Sequence, residues 1–321
     1  MSRIGVVLSN LGGPEVPEAI QPFLMNLFSD PIIIPIRPGF LRRFVARKIS
    51  TGRAPKVAKD YARIGGASPL VRLTNAQAQG MLAILERRAP GRYATAVAMR
   101  YWRPFTEQAV DALLTAGCDR FLHLPLYPQE SLATTESSSR ELRRVLAQKA
   151  PTAPLSEVRT YAVDPRYVAN VRRTVEEGVA TMVAGGAPVP YVLFSAHGLP
   201  ESFVRKGDGY VGEIRATKEA VCRGMAWETG LSFQSRVGPV AWVKPYTDAT
   251  IEELAGRGVK SLLMVPLGFV SDHFETLFEM DILYADLAKE KGMTHVGRAP
   301  SLNDRPDFLK ALADLVLEAT R

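Results

Sequence analysis

Short apolar runs alternate with amphipathic stretches along this chain. IGVVLSN (4–10), TAVAMRY (95–101), RFLHLPL (120–126), YVLFSAH (191–197), VAWVKPY (240–246) and SLLMVPL (261–267) have strand length and little polar interruption. Between them, TEQAVDALLTAG (106–117) and DATIEELAGRG (248–258) carry apolar residues at helical spacing, as does RPDFLKALADLVLEAT (305–320). Strands alternating with helices predict parallel βαβ units. Strands apolar on both faces predict sheets covered on both sides.

The pattern is written twice. RPFTEQAVDALLTAGCDRFLHLPL (103–126) aligns without a gap on KPYTDATIEELAGRGVKSLLMVPL (244–267). Pro104 falls on Pro245, Thr106 on Thr247, Leu113 on Leu254, Gly117 on Gly258 and Pro125 on Pro266, each pair 141 apart. LSNLGGP (8–14) echoes FSAHGLP (194–200), with Ser9 meeting Ser195 and Gly12 meeting Gly198, 186 apart. Both echoes sit where a strand hands over to a loop, the place where open α/β sheets bind ligands. The expectation is two similar doubly wound domains with parallel sheets, 1–155 and 156–321, facing each other across a cleft. The stretch APTAPLSEVRT (150–160) reads as the linker, and the last helix is free to pack back on the first domain.

Bulk properties narrow the class. At 321 residues, 46% hydrophobic and 23% charged, the chain is an ordinary globular protein. Two distant cysteines, Cys118 and Cys222, predict a reducing compartment and no cysteine-held metal. No apolar run approaches the roughly 20 residues of a membrane span, and the opening MSRIGVVLSN has no secretory pattern. A cytoplasmic protein is expected, with peripheral contact to the inner membrane. The net charge of +7 concentrates between Arg37 and Arg63, where nine basic residues meet only Asp60. Such a stretch suits anionic lipid, a carboxylated ligand or a solvated helix face; nucleic acid is disfavoured because no recognised binding motif accompanies it.

Candidate chemistry gathers in the second half. The loop SNLGGPE (9–15) lacks the spacings of a phosphate cradle, and Pro14 removes an amide donor, so nucleotide binding is disfavoured. At the position matched by Leu11, the second half has His197, between a strand end and Gly198. Downstream, LGFVSDHFETLFEMD (267–281) supplies Asp272, His273, Glu275 and Glu279. A helix starting near residue 271 would place Asp272, Glu275 and Glu279 on one face. Asp272-x-x-Glu275 is equally the spacing of a capping box, the commoner use of such acids. His123 (mid-strand), His295 and, on the same reasoning, His273 are consistent with structural histidines. An imidazole near carboxylates suits moderate binding of a first-row divalent ion, or proton transfer near neutral pH.

SNLGGPE (9–15), YARIGGASPL (61–70), FSAHGLPESFVRKGDGY (194–210), PYTDATIEEL (245–254) and VPLGFVSDHFETLFEMD (265–281), in this order, resemble the ferrochelatase family, in particular its Gram-negative protoporphyrin type. The resemblance runs from end to end. It implies two Rossmann-like domains of the class II chelatase kind and a lyase that inserts Fe²⁺ into protoporphyrin IX, giving protohaem and two protons. By this resemblance His197 and Glu275 are the metal-binding pair, and Glu279 moves protons or metal. Leu11, Arg63, Ser68, Arg100, Tyr101 and Trp242 would contact the macrocycle or its propionates, and Asp272 and His273 would border the substrate. Iron is then a substrate; no permanently bound cofactor is implied. Members with a [2Fe–2S] cluster hold it with cysteines beyond the last helix, and this chain reaches Arg321 without them. Some members extend the acidic row one turn further, where this chain has Leu283.

The expected mechanism bends the porphyrin so that its nitrogen lone pairs point out of plane. PFLMNLFSDPIII (22–34) is consistent with either a pocket lip or helix core. Rival readings are a chelatase for cobalt, coproporphyrin or a sirohydrochlorin-like ring, and a non-catalytic tetrapyrrole carrier. Cobalt chelatases usually carry more histidines at the metal site, and a carrier needs no base opposite the ring.

Overall fold

A computed structural model describes residues 2–321. It divides into two compact units: Met1–Tyr127 with Ser131–Arg159 and Asn303–Arg321, and Pro128–Glu130 with Thr160–Leu302. The last helix, Pro306–Ala319, thus belongs with the first unit, and the main division falls a few residues beyond 155.

In the first unit, β1 (Ile4–Asn10), β2 (Tyr93–Met99), β3 (Arg120–Pro125) and β4 (Leu155–Glu157) form one parallel sheet in the order β2-β1-β3-β4. In the second, β5 (Tyr191–His197), β6 (Thr229–Gln234), β7 (Ser261–Leu267) and β8 (His295–Arg298) form another in the order β6-β5-β7-β8. The order is the same, as the internal repeat predicts. Helices Thr106–Thr115 and Thr247–Gly256 occupy matched places and each buries its first threonine. Their ends also match: Gly117 and Gly258 both have positive φ, which glycine adopts without a Cβ clash. The central strands β1 and β7 are buried along their whole length, so their apolar runs read clearly in the sequence.

Four segments differ from expectation. VAWVKPY (240–246) is not a strand. It touches its neighbours through two isolated bridges, Pro200–Trp242 and Phe233–Tyr246, and Pro245 has no amide to extend a ladder. The strand that pairs with β5 is TGLSFQ, whose first half is only half-buried and carries Thr229 and Gly230. The supposed linker contains β4, and β8 was not foreseen. Both are short edge strands, half-buried throughout, so neither shows an apolar run.

Helix Gly39–Ala62 carries the basic stretch. Helix Ile20–Ser29 buries Leu24 and Phe28 and leaves Met25 and Leu27 half-buried, so the greasy segment is at least partly helix core. Among the described residues no helix is long and apolar enough to cross a membrane.

Candidate active site

His197 closes β5 and is half-buried at the strand end. The next residue has to be glycine. A Cβ on Gly198 would lie 2.7 Å from the Gln234 carbonyl oxygen and 3.2 Å from the Trp242 ring. That tight turn brings the Gly198 carbonyl within 2.6 Å of His197 Nδ1. A carbonyl only accepts, so Nδ1 carries a hydrogen, and in the neutral ring Nε2 keeps a lone pair. Tyr210 supports the same corner by donating to the His197 carbonyl at 3.1 Å.

The acid row is built differently from the expected α-helix. Glu275–Tyr284 is π-helical, with the wide i→i+5 turn that recurs at functional sites. Thr276, Phe278, Met280 and Tyr284 are buried, and the last two join a core cluster with Leu193, Ile251 and Leu262. The capping box does not form. Asp272 instead accepts from Ser301 at 2.7 Å and from Thr276 at 3.2 Å, and pairs with Arg298 at 3.1 Å. Arg298 also grips Asp281 at 2.7 and 3.0 Å. Burial opposes the Arg298 charge, but Asp281 and Asp272 outweigh it and raise its pKa. The guanidinium thus ties the residues before the π-helix to its middle.

His273 and Glu275 meet. His273 is buried and its Nδ1 lies 2.9 Å from the Ser271 carbonyl, so its Nε2 also presents a lone pair. That nitrogen is 3.1 Å from Glu275 Oε2, misaligned for a hydrogen bond and with no other partner. Burial holds the His273 pKa down, against the pull of Glu275. A neutral nitrogen and a carboxylate oxygen this close are two acceptors that a proton or a divalent cation would reconcile. Phe269 joins the two imidazoles, with ring centroids 6.4 Å from His197 and 4.4 Å from His273. No cluster of three or more His, Cys, Asp or Glu placed to hold a metal occurs among the described residues.

Glu279, one wide turn beyond Glu275, is half-buried. Burial, reinforced by the Glu275 charge, pushes its carboxyl up to about 7, while bonds from Ser235 and Gln234 resist. Gln234 Nε2 donates to it at 2.9 Å, and Ser235 Oγ donates to the same oxygen. Neither donor is visible in the sequence, because TGLSFQ, the strand that ends at Gln234, has no apolar run. The next position in the row, Leu283, is exposed.

Trp242 is buried against Gly198, its Nε1 donating to Val237 at 3.2 Å. In the first unit, Leu11 follows β1 and is half-buried, and Arg63 caps the basic helix. Ser68 is buried, and a Cβ on Gly13 would lie 2.5 Å from its Oγ. Tyr101 is 1% exposed and donates to Asp30 at 2.9 Å; burial and Asp30 push its hydroxyl pKa far up. Arg100 pairs with the same carboxylate at 2.8 Å and donates to Ser137. These two side chains are engaged within their own unit, around a pocket of about 240 Å³ also lined by Asn26 and Glu141.

The family model for ferrochelatase matches residues 3–320. Ferrochelatases of Geotalea uraniireducens and Geobacter metallireducens are 47% and 45% identical, covering 98% and 99% of this chain and 97% and 98% of their own. Among solved structures, SirB from Bacillus subtilis with Fe3+ superposes with a TM-score of 0.57 at 14% identity, over 99% of this chain and 96% of its own. At that identity the likeness speaks for the chelatase fold alone. The full-length sequence matches go further: the chain belongs to the ferrochelatase family.

Proposed function

We propose that this chain inserts Fe²⁺ into protoporphyrin IX, the metal-insertion step of haem synthesis, using His197 and the Glu275–Glu279 row of its second unit. The observation that carries the reading is the His197 Nδ1–Gly198 bond, which in the neutral ring leaves Nε2 bare at a strand end. Porphyrin metallation replaces two N–H protons by one divalent ion, so the site must supply an acceptor for protons and a lightly held ion. A neutral imidazole does the first. The His273–Glu275 pair offers nitrogen and oxygen donors for the second, and Glu275 with His197 is the pair assigned to the metal. Once charged, His197 passes its proton toward Glu279, whose carboxyl titrates near neutral pH and can both take and release it. Phe269 beside the imidazole and Trp242 packed against Gly198 give the corner an apolar character that suits a flat hydrophobic ring. Iron is consumed as substrate, and the scheme requires no resident cofactor.

The test is fluorimetric. Protein at a hundredth of the porphyrin concentration, given anaerobic Fe²⁺, should quench the porphyrin through many turnovers. Quenching that stops at one equivalent would instead mark a carrier. Coproporphyrin or a sirohydrochlorin-like ring accepted in preference would move the reading to another chelatase.

A peripheral membrane contact of this cytoplasmic enzyme is part of the proposal. Phe40 and Phe44 are 76% and 66% exposed, one turn apart, on a helix that also exposes Arg43, Arg47 and Lys48. Exposed aromatics flanked by cations match an anionic lipid surface. Phe40→Ser with Phe44→Ser should abolish co-sedimentation with phosphatidylglycerol vesicles and leave neutral vesicles unaffected. Unchanged sedimentation would remove the membrane from this account.

A further inference from the structure

We propose that Gln234 is a positioning residue for the reaction, holding the Glu279 carboxylate and the His197 turn in one frame. The proposal rests on the preceding assignment of those two residues. Gln234 ends β6 in direct register with His197. Its backbone oxygen accepts from Gly198 N at 2.7 Å, the same Gly198 whose carbonyl accepts the hydrogen bond from His197 Nδ1. Its side-chain Nε2 donates twice, to Glu279 Oε2 at 2.9 Å and to the Glu275 carbonyl at 3.1 Å. Both partners are acceptors, so the amide can point only one way. Its Oε1 accepts from Ser195 Oγ at 2.6 Å, and Ser195 is backed by Thr247 at 3.0 Å, itself 3.0 Å from Ser232. Gln234 is 1% exposed and all three hydroxyl residues are buried, so water cannot replace these bonds.

The adjoining residue points the same way. Ser235 has φ of 66°, a left-handed conformation uncommon outside glycine, and in it the hydroxyl donates to Glu279 Oε2. Two donors therefore converge on one oxygen, and Oε1 accepts no bond among the described residues. The carboxylate is turned so that Oε1 is the oxygen available to a proton or an ion. Such a rigid support behind a reacting group is what fixes its geometry during turnover.

A double-mutant cycle tests this, reading anaerobic Fe²⁺ insertion with Zn²⁺ as a second probe metal. Gln234→Leu should lower kcat by about 10- to 100-fold, as expected for a group displaced by roughly an ångström, and change the porphyrin KM less than about twofold. In a Glu279→Gln background the same substitution should cost less than about threefold. An equal loss in both backgrounds would show a merely structural role and overturn the proposal. Gln234→Glu keeps the shape and the Ser195 bond but removes the donor, so it guards against misfolding; full kcat in that variant also overturns it. Crystal structures of either variant give a readout independent of activity: the Glu279 carboxylate should rotate or shift away, and an unmoved carboxylate contradicts the proposal. Absence of metal insertion in the unaltered protein would sink the assignment of function, while the crystallographic comparison would still decide the role of Gln234.

Discussion

Ser9 in β1 and Ser195 in β5 hold matched places in two sheets of the same strand order, yet their surroundings have opposite uses. In the first unit, Ser9 Oγ lies 2.8 Å from His123 Nε2, and the other ring nitrogen faces Ser139 at 3.4 Å and Glu157 at 3.6 Å. A serine, an imidazole and an acid in that order resemble a nucleophile triad. But His123 is 1% exposed, and the space beside it does not admit a water molecule. Burial pushes the Glu157 carboxyl up, and bonds from His123, Ser139 and Arg143 overcome it, holding it down at about 2. Every group is spent on its neighbour. In the second unit the central serine bonds to Gln234 instead, and the histidine sits at the strand end with one nitrogen tied and the other unspent. What separates a structural imidazole from a reactive one here is whether its second nitrogen still has work to do.

Substitutions can break that contrast. His197→Ala should lower porphyrin metallation by at least about 100-fold, the usual range for removing a general base, with porphyrin binding retained by fluorescence titration. Glu275→Gln should cost about as much in kcat, somewhat less if His273 keeps part of the ion contact. Were Glu275 only a helix-start residue, stability would fall by about 1 kcal/mol and turnover would hold. His123→Ala should do the reverse of His197→Ala. It leaves the Ser9 hydroxyl without its partner inside the sheet and should lower unfolding free energy by about 1–3 kcal/mol, with kcat unchanged in the folded fraction.

The smallest expected effect is a pH dependence of stability. Glu279 has its folded pKa raised from 4.5 to about 7, so the fold favours its protonated form. That contribution is complete below the unfolded value and lost as pH rises through about 7. Glu279→Gln cannot ionise and keeps an oxygen for Gln234 and Ser235. It should therefore melt higher than the unaltered protein at pH 8, with the gap closing by pH 5; equal melting curves at both pH values would mean the carboxyl is not raised.

Much of this arrangement was legible in the chain. The runs of β1, β5 and β7 match the strands to the residue because both faces of those strands are buried for most of their length and their runs are mostly apolar. The repeat was legible because matched helices and turns need the same threonines, prolines and glycines. The candidate residues His197, Glu275 and Glu279 stood out by residue type at a strand end and in a row. What was hidden lies in register and in side-chain pairing. TGLSFQ does not look like a strand, since its outer half is only half-covered, and so Gln234 could not be seen opposite His197. The spacing of the acid row predicts an α-helical period; the wide turns that occur bury Met280 and Tyr284 and are bridged by the Arg298 clamp, tertiary contacts that no local pattern shows. Asp272 matches a capping pattern, but the half-buried Arg298 outcompetes a backbone amide for its carboxylate.

The ring nitrogens of His197 carry the central claim and can be observed directly. ¹⁵N chemical shifts of histidine-labelled, metal-free protein near neutral pH should show His197 with its proton on Nδ1 and a bare Nε2, which then shifts as Zn²⁺ is added while the His123 signals stay fixed. A proton found on Nε2 with Nδ1 bare, or His197 signals indifferent to the metal, would contradict the account.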